Sequence, residues 1–193
     1  IVLAQTGTSQ TEKVDAFTRA YRFRDRLPDR ERYLATASYF LSARDDPERA
    51  AMDLRALLDQ YPDDAIAINN LAAAYLMLGR WAQAESVAAR GVRLAPSGGA
   101  LRVNLASALA SQGKMADAHQ VLTRALREMP SWPSGVLYLA SLEYSSGWPD
   151  SARLRMEAML ADASVDPTYR VGAASVLANL ALVRGRLRDA GGY

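Results

Sequence analysis

A period of 34 residues runs through the chain and limits its fold more than any other feature of the sequence. Asn70, Leu71 and Ala72 fall one period before Asn104, Leu105 and Ala106. Gly79 falls on Gly113 and again on Gly147. Ala50, Ala84, Ala118 and Ala152 form one series at that spacing, and Pro62, Pro96 and Pro130 form another. A repeat of this length is one supersecondary unit, too small to bury its own apolar face. It folds by stacking on its neighbours.

The marks within the period have separate physical causes. Ile68, Leu71, Ala72, Tyr75 and Leu78 recur at helical spacing, and Trp81, Ala84, Val87, Ala88 and Val92 do so after the glycine. The glycine therefore sits between two helices, where it permits the tight turn of an antiparallel pair. The alanine lies inside the second helix, where a small side chain lets two helices approach. The proline ends that helix. Tyr75 and Trp81 are expected in the core, and Met52, Met77, Met115, Met156 and Met159 are expected to fill helix faces. Turns are expected near Asp45, Gly79, Gly113, Gly147 and Gly185, with no sheet.

A helix–turn–helix unit of this length resembles the tetratricopeptide repeat. Residues 65–98 carry the pattern with Ile68, Leu71, Ala72, Tyr75, Gly79, Trp81, Ala84, Gly91 and Pro96. Residues 99–132 carry it with Leu105, Ala106, Gly113, Ala118, Ala125 and Pro130, and depart at Arg102, Leu109 and Met115. The resemblance implies an all-α solenoid of stacked antiparallel helix pairs in a right-handed superhelix. Residues 31–64 form a weaker unit, with Asp45 in place of the turn glycine. Residues 133–170 form another, in which the closing proline reads as displaced to Pro167 with about four added residues. Residues 171–193 read as a truncated repeat, and residues 1–30 as the end of a preceding one, with a helix through Val14, Phe17, Ala20 and Tyr21. The chain is thus expected to be a single solenoid cut from a longer protein. The stretch from Tyr21 to Phe40 is similar to repeat tails of bacterial serine/threonine kinases and signalling regulators. That similarity implies a kinase or DNA-binding domain elsewhere in the parent.

No constellation for catalysis stands out. There is no cysteine, which removes thiol nucleophiles and cysteine-ligated metals. The one histidine, His119, has Asp117 two residues away, on another helix face, so it reads as a surface histidine and not a ligand. Gly113-Lys114 lies in a repeat turn and lacks the spacing of a phosphate loop. Asp45-Asp46 and Asp63-Asp64 fall at links, where aspartate caps helix amides. The fragment is accordingly expected to be no enzyme and to need no cofactor or metal. The 23 basic residues, nearly all arginine, are interleaved with 21 acids, as in Arg24-Asp25-Arg26 and Asp29-Arg30-Glu31-Arg32. Such mixing favours a self-paired surface over a nucleic-acid stripe. No apolar run reaches the roughly 18 residues of a membrane span. The compartment stays open.

The resemblance also implies a concave face lined by the first helix of each unit. Carried over residue by residue, it includes Tyr39, Asn69, Asn70, Met77, Asn104 and Tyr138 as candidate partner-binding residues. Members of the family that clamp a terminal carboxylate set basic residues beside such asparagines. Here Ala35, Ala100 and Ser134 occupy those places, so the groove reads as neutral. The partner is expected to be a polypeptide, either an extended peptide or an apolar helix. A homodimer through the C-terminal helices is the alternative, because Val176, Leu177, Leu180, Ala181 and Val183 carry little charge.

Overall fold

The computed structural model of the protein describes residues 10–183. Among these there are ten α-helices and one short 3-10 turn, with no strand. They are α1 (Gln10–Arg22), the turn Arg24–Arg26, α2 (Asp29–Ser42), α3 (Pro47–Gln60), α4 (Ala65–Met77), α5 (Trp81–Leu94), α6 (Gly99–Ser111), α7 (Met115–Glu128), α8 (Pro133–Ser145), α9 (Pro149–Ala161) and α10 (Pro167–Val183). This is the all-α helical-repeat class, an α-solenoid by architecture. The helices fall into two compact units divided between Ala108 and Leu109, within α6.

The period reappears in helix starts. Residues 65, 99, 133 and 167 open one set, and residues 47, 81, 115 and 149 open the other, each 34 apart. Gly79, Gly113 and Gly147 all adopt positive φ, at 68°, 77° and 80°. At each, the following amide reaches back five residues: Arg80 N to Tyr75 O at 2.9 Å, Lys114 N to Leu109 O at 3.0 Å, and Trp148 N to Glu143 O at 2.8 Å. This backbone pattern satisfies the last carbonyls of the helix and needs a left-handed residue at the turn. Asp45, in the same register, holds φ 51° without being glycine. Aspartate tolerates that region better than most residues, and the link there is one residue longer, with Asp46 N bonded to Phe40 O at 2.9 Å.

The prolines act through the residue before them. Tyr61, Ala95 and Met129 end α3, α5 and α7 with φ between −127° and −130° and ψ between 72° and 77°. A residue preceding proline is pushed out of the helical region, and the three links share one conformation for that reason. Pro167 differs from its sequence reading: it does not close a helix but opens α10 at its first position, one period after Pro133. Proline is favoured there, because its missing N–H would have no partner anyway. The expected added residues are therefore absent from the register of helix starts. The register places Ala181 where Gly147 would recur, and α10 runs on through Val183 instead of turning. The expected turn at Gly185, with Leu187 and Ala190, lies outside the described residues.

In the first unit α1 packs on α2, α2 on α3, α3 on α4 and α4 on α5. Its core gathers Leu34, Leu54, Leu57, Leu71 and Tyr75 around fully buried alanines. In the second, α8 packs on α7, α9 and α10, around Met156, Met159, Leu177 and Leu180. All four alanines of the sequence series, Ala50, Ala84, Ala118 and Ala152, have no exposed surface. One expected core residue is outside it. Trp81 is about a third exposed, because it opens α5 and its ring lies over the turn, 3.5 Å from where a Cβ on Gly79 would sit. Met52 and Met77 are also exposed, while Met156 and Met159 are buried.

A size exchange distinguishes two repeats. Residues 98 and 101 are Gly and Leu; one period later residues 132 and 135 are Trp and Gly. A Cβ on Gly135 would meet the Trp132 ring at 2.0 Å. Overpacking of this kind costs about 1–3 kcal/mol, against about 1 kcal/mol gained by replacing a helical glycine. Gly135→Ala is therefore expected to lower the urea midpoint of unfolding, and Trp132→Ala in the same chain to relieve part of the loss.

Candidate functional site

The first unit contains a cleft of about 340 Å³, lined by Phe17 of α1, Leu34 and Ser38 of α2, Ala65, Ile66, Asn69 and Asn70 of α4, Ala95 and Gly98 of the following link, and Ala100 and Leu101 of α6. No charged side chain is among them. The cleft is shaped by small residues at the helix starts, which leave room above the buried Leu34 and Leu101. Gly91 allows this packing: a Cβ there would fall 2.5 Å from Leu101 Cδ2 and 2.8 Å from Ile68 Cγ2.

Helix α4 is aimed by Asp64. Its Oδ1 accepts from the amides of Ile66 at 3.0 Å and Ala67 at 2.9 Å, which caps the helix. Its Oδ2 accepts from Arg30 Nε at 2.5 Å, and this bond raises the Arg30 guanidinium above its ordinary range. Asp46 caps α3 in the same manner through Arg49 N at 3.0 Å. The charged stretch from Arg24 to Arg32 is laced by the pairs Arg30–Glu31 and Arg32–Asp29. Burial raises the Asp53 carboxyl against the pull of Arg49. Bonds from Ser164 and Thr168 lower Asp162 and Asp166 in the second unit.

The three candidate asparagines come together. Asn104 Nδ2 donates to the main-chain oxygen of Asn69 at 3.2 Å and to Asn69 Oδ1 at 3.1 Å. Asn69 Nδ2 donates to Asn70 Oδ1 at 3.2 Å. The other candidates lie apart from the cleft lining. One face of the Tyr39 ring is covered by Tyr21, with centroids 4.1 Å apart and nearly parallel. Met77 is exposed at the far end of α4, and Tyr138 is exposed in the second unit. Phe17, Leu34, Ser38 and Leu101 line the cleft without standing out as site residues in the sequence. The signal for them is indirect: Phe17 sits on the one helix that precedes a complete repeat.

The second unit holds a cluster that the periodicity conceals. Glu143 is 1% exposed, at the register position filled elsewhere by Leu41, Tyr75, Leu109 and Leu177. Arg155 Nε lies 2.9 and 2.8 Å from its two oxygens, and His119 Nε2 lies 3.2 Å from Oε1. The His119 ring meets Trp148 edge-on at 5.3 Å. His119 is thus a half-buried partner of a buried carboxylate and not a surface residue. The apolar face expected on α10 is likewise turned inward at Leu177, Leu180 and Ala181, while Val171 and Leu182 are exposed. Among the described residues no three His, Asp or Glu side chains gather as a metal site, and no helix is long and apolar enough to cross a membrane.

Antiparallel helix pairs joined by left-handed turns at a fixed period define an all-α helical-repeat protein. The tetratricopeptide repeat family matches the chain over residues 41–109. Solved structures share the fold at low identity. TTC0263, a tetratricopeptide protein of Thermus thermophilus, is 22% identical, with a TM-score of 0.69 over 88% of this chain and 99% of that one. A tetratricopeptide repeat protein of Parabacteroides merdae is 15% identical, with a TM-score of 0.73 over 94% and 68%. PilF of Pseudomonas aeruginosa is 18% identical, with a TM-score of 0.65 over 96% and 90%. No curated protein sequence matches the chain.

Proposed function

We propose that the chain is a polypeptide-binding module whose partner engages the first unit around Asn69, Asn70 and Asn104. One observation carries this reading: Asn69 and Asn70 line an uncharged, largely apolar cleft, and Asn104 is hydrogen-bonded to Asn69 beside it. Asparagine is a poor helix former, yet two stand together in α4 and a third in α6. An amide offers both donor and acceptor, which suits a peptide backbone. Tyr39 and Met77 extend the proposed surface on the first unit, Tyr138 is a separate candidate contact on the second, and no catalytic or metal-dependent step is assigned to them. Replacing Asn70 and Asn104 together with alanine is expected to weaken partner binding by about 1–3 kcal/mol, the range for stranding a polar group. A change at Arg90, which pairs with Pro62 O and Asp63 outside the cleft, is expected to leave affinity unchanged. Unchanged affinity in the asparagine variant, with loss in the Arg90 variant, would move the site elsewhere.

Self-association is the second reading, and the exposed Val171 and Leu182 on α10 favour it. Val171→Asp with Leu182→Asp is expected to shift the chain toward monomer in sedimentation if these residues meet a second copy. A place in a bacterial signalling protein rests on the similarity of residues 21–40 and is tested by the sequence that flanks the chain in its gene.

A further inference from the structure

The charged stretch expected to pair with itself does so only in its second half. Arg30 bridges to Asp64 and Glu31, and Arg32 to Asp29. Four arginines and one aspartate stand just before these, between residues 19 and 26. There Arg19, Arg22 and Arg26 are exposed and make no ion pair among the described residues. Arg24 meets Asp25 only at 3.9 Å, and Asp25 is itself largely exposed. Phe23 lies among the arginines with half of its surface in solvent. We propose that this ridge is a membrane-contact site, at which the arginines meet the headgroups of an anionic phospholipid bilayer and Phe23 enters the boundary below them.

The ridge is braced from behind. Arg24 lies 4.3 Å over the Tyr21 ring and donates to Tyr21 O at 3.0 Å, and that ring stacks on Tyr39. The Arg26 guanidinium lies 5.4 Å from the centre of the Phe23 ring. Part of the charge has a local cause. Arg19 and Arg22 fall in the last turn of α1, where cations complement the helix dipole. That cause does not reach Arg26, which follows the helix, nor an exposed phenylalanine set between cations. An anionic bilayer answers both features, because it attracts the arginines and takes the ring out of water. The exposed members come from one continuous stretch and not from two facing walls, so the ridge suits a flat surface better than it grips a strand. It is separate from the asparagine cleft. Phe17, the α1 residue that lines the cleft, is two residues from Arg19 and so on another face of the helix.

The test is co-sedimentation of the whole chain with vesicles of phosphatidylcholine, with and without phosphatidylserine. Sedimentation is expected with the anionic vesicles alone, and it should weaken as salt is raised. Replacing Arg19, Arg22 and Arg26 together with alanine should reduce vesicle affinity about a hundredfold, since each arginine near an anionic surface contributes about fivefold. These side chains are exposed, so the fold is expected to stand. Replacing the same three with lysine should keep most of the affinity, because a bilayer attracts the charge, whereas paired recognition of a carboxylate needs the guanidinium fork. Phe23→Ala should lose about tenfold. Arg55 on α3 and Arg93 on α5 are exposed and serve as the control. Changing both to alanine should leave vesicle binding as it is. Equal sedimentation with both kinds of vesicle, none with either, or undiminished binding of the triple-alanine chain overturns the proposal. So does a single-stranded oligonucleotide or polyglutamate held at the three arginines in preference to the anionic vesicles.

Discussion

Replacing Arg155 with alanine is expected to destabilise the chain by about 3 kcal/mol, and replacing Glu143 with leucine to cost little or to stabilise. Glu143 is a carboxylate with 1% of its surface exposed, and Arg155 is its main counter-charge, through two contacts under 3 Å. Removing one partner of a buried pair strands the other, which costs about 3–5 kcal/mol. The low end applies because Arg155 is itself about a third exposed and His119 stays 3.2 Å away. An apolar residue of similar volume avoids the desolvation of the charge altogether. Leucine is the residue at this register position in three other repeats, as Leu41, Leu109 and Leu177. In the Glu143→Leu background, Arg155→Ala should then cost well under about 1 kcal/mol, so urea titrations of the four chains measure a coupling energy. Equal losses in both backgrounds would mean that Arg155 contributes through packing alone.

Leu101→Ala is the second large effect, expected at about 2–5 kcal/mol for a buried leucine. Leu101 is 3% exposed, touches the space over Gly91 and Gly98, and forms part of the cleft. Its removal should both loosen the meeting of α4, α5 and α6 and enlarge the binding cleft. Gly91→Ala alone should destabilise, because the new methyl would fall 2.5 Å from Leu101 Cδ2. In the Leu101→Ala chain the same change has room on that side. It should then be milder, offset by the better helix propensity of alanine. Additive losses would contradict this account of why position 91 is glycine.

Much of this fold can be read in the residues, and the reasons are local. A glycine at a left-handed turn, a residue forced out of the helix by a following proline and an alanine where two helices cross each leave a mark at one position. The period multiplies that mark. Pro167 misleads because proline both ends and opens helices, and only its register with Pro133 decides between the two. Glu143 is hidden because a charged residue at an apolar register position looks like a surface departure. Its partners lie 12 and 24 residues away on other helices, beyond what helical spacing can reveal. The site is partly legible. Register aligns Asn104 with Asn70, yet the bonds run from Asn104 to Asn69, one residue aside, because side chains of neighbouring helices interlock and do not stand level. The apolar part of the cleft comes from α1, α2, α4 and α6 together, and no single repeat displays it.

The side-chain amide resonances of Asn69, Asn70 and Asn104 give the most direct test of the proposed function. They are to be followed by nuclear magnetic resonance while a peptide selected for binding is titrated into the whole chain. The account predicts that the Asn70 amide protons shift most and saturate with the same affinity as the bulk binding signal, with Asn69 following. Saturable binding that leaves these amides unmoved, with shifts gathered around Arg90 or on α10, would contradict it.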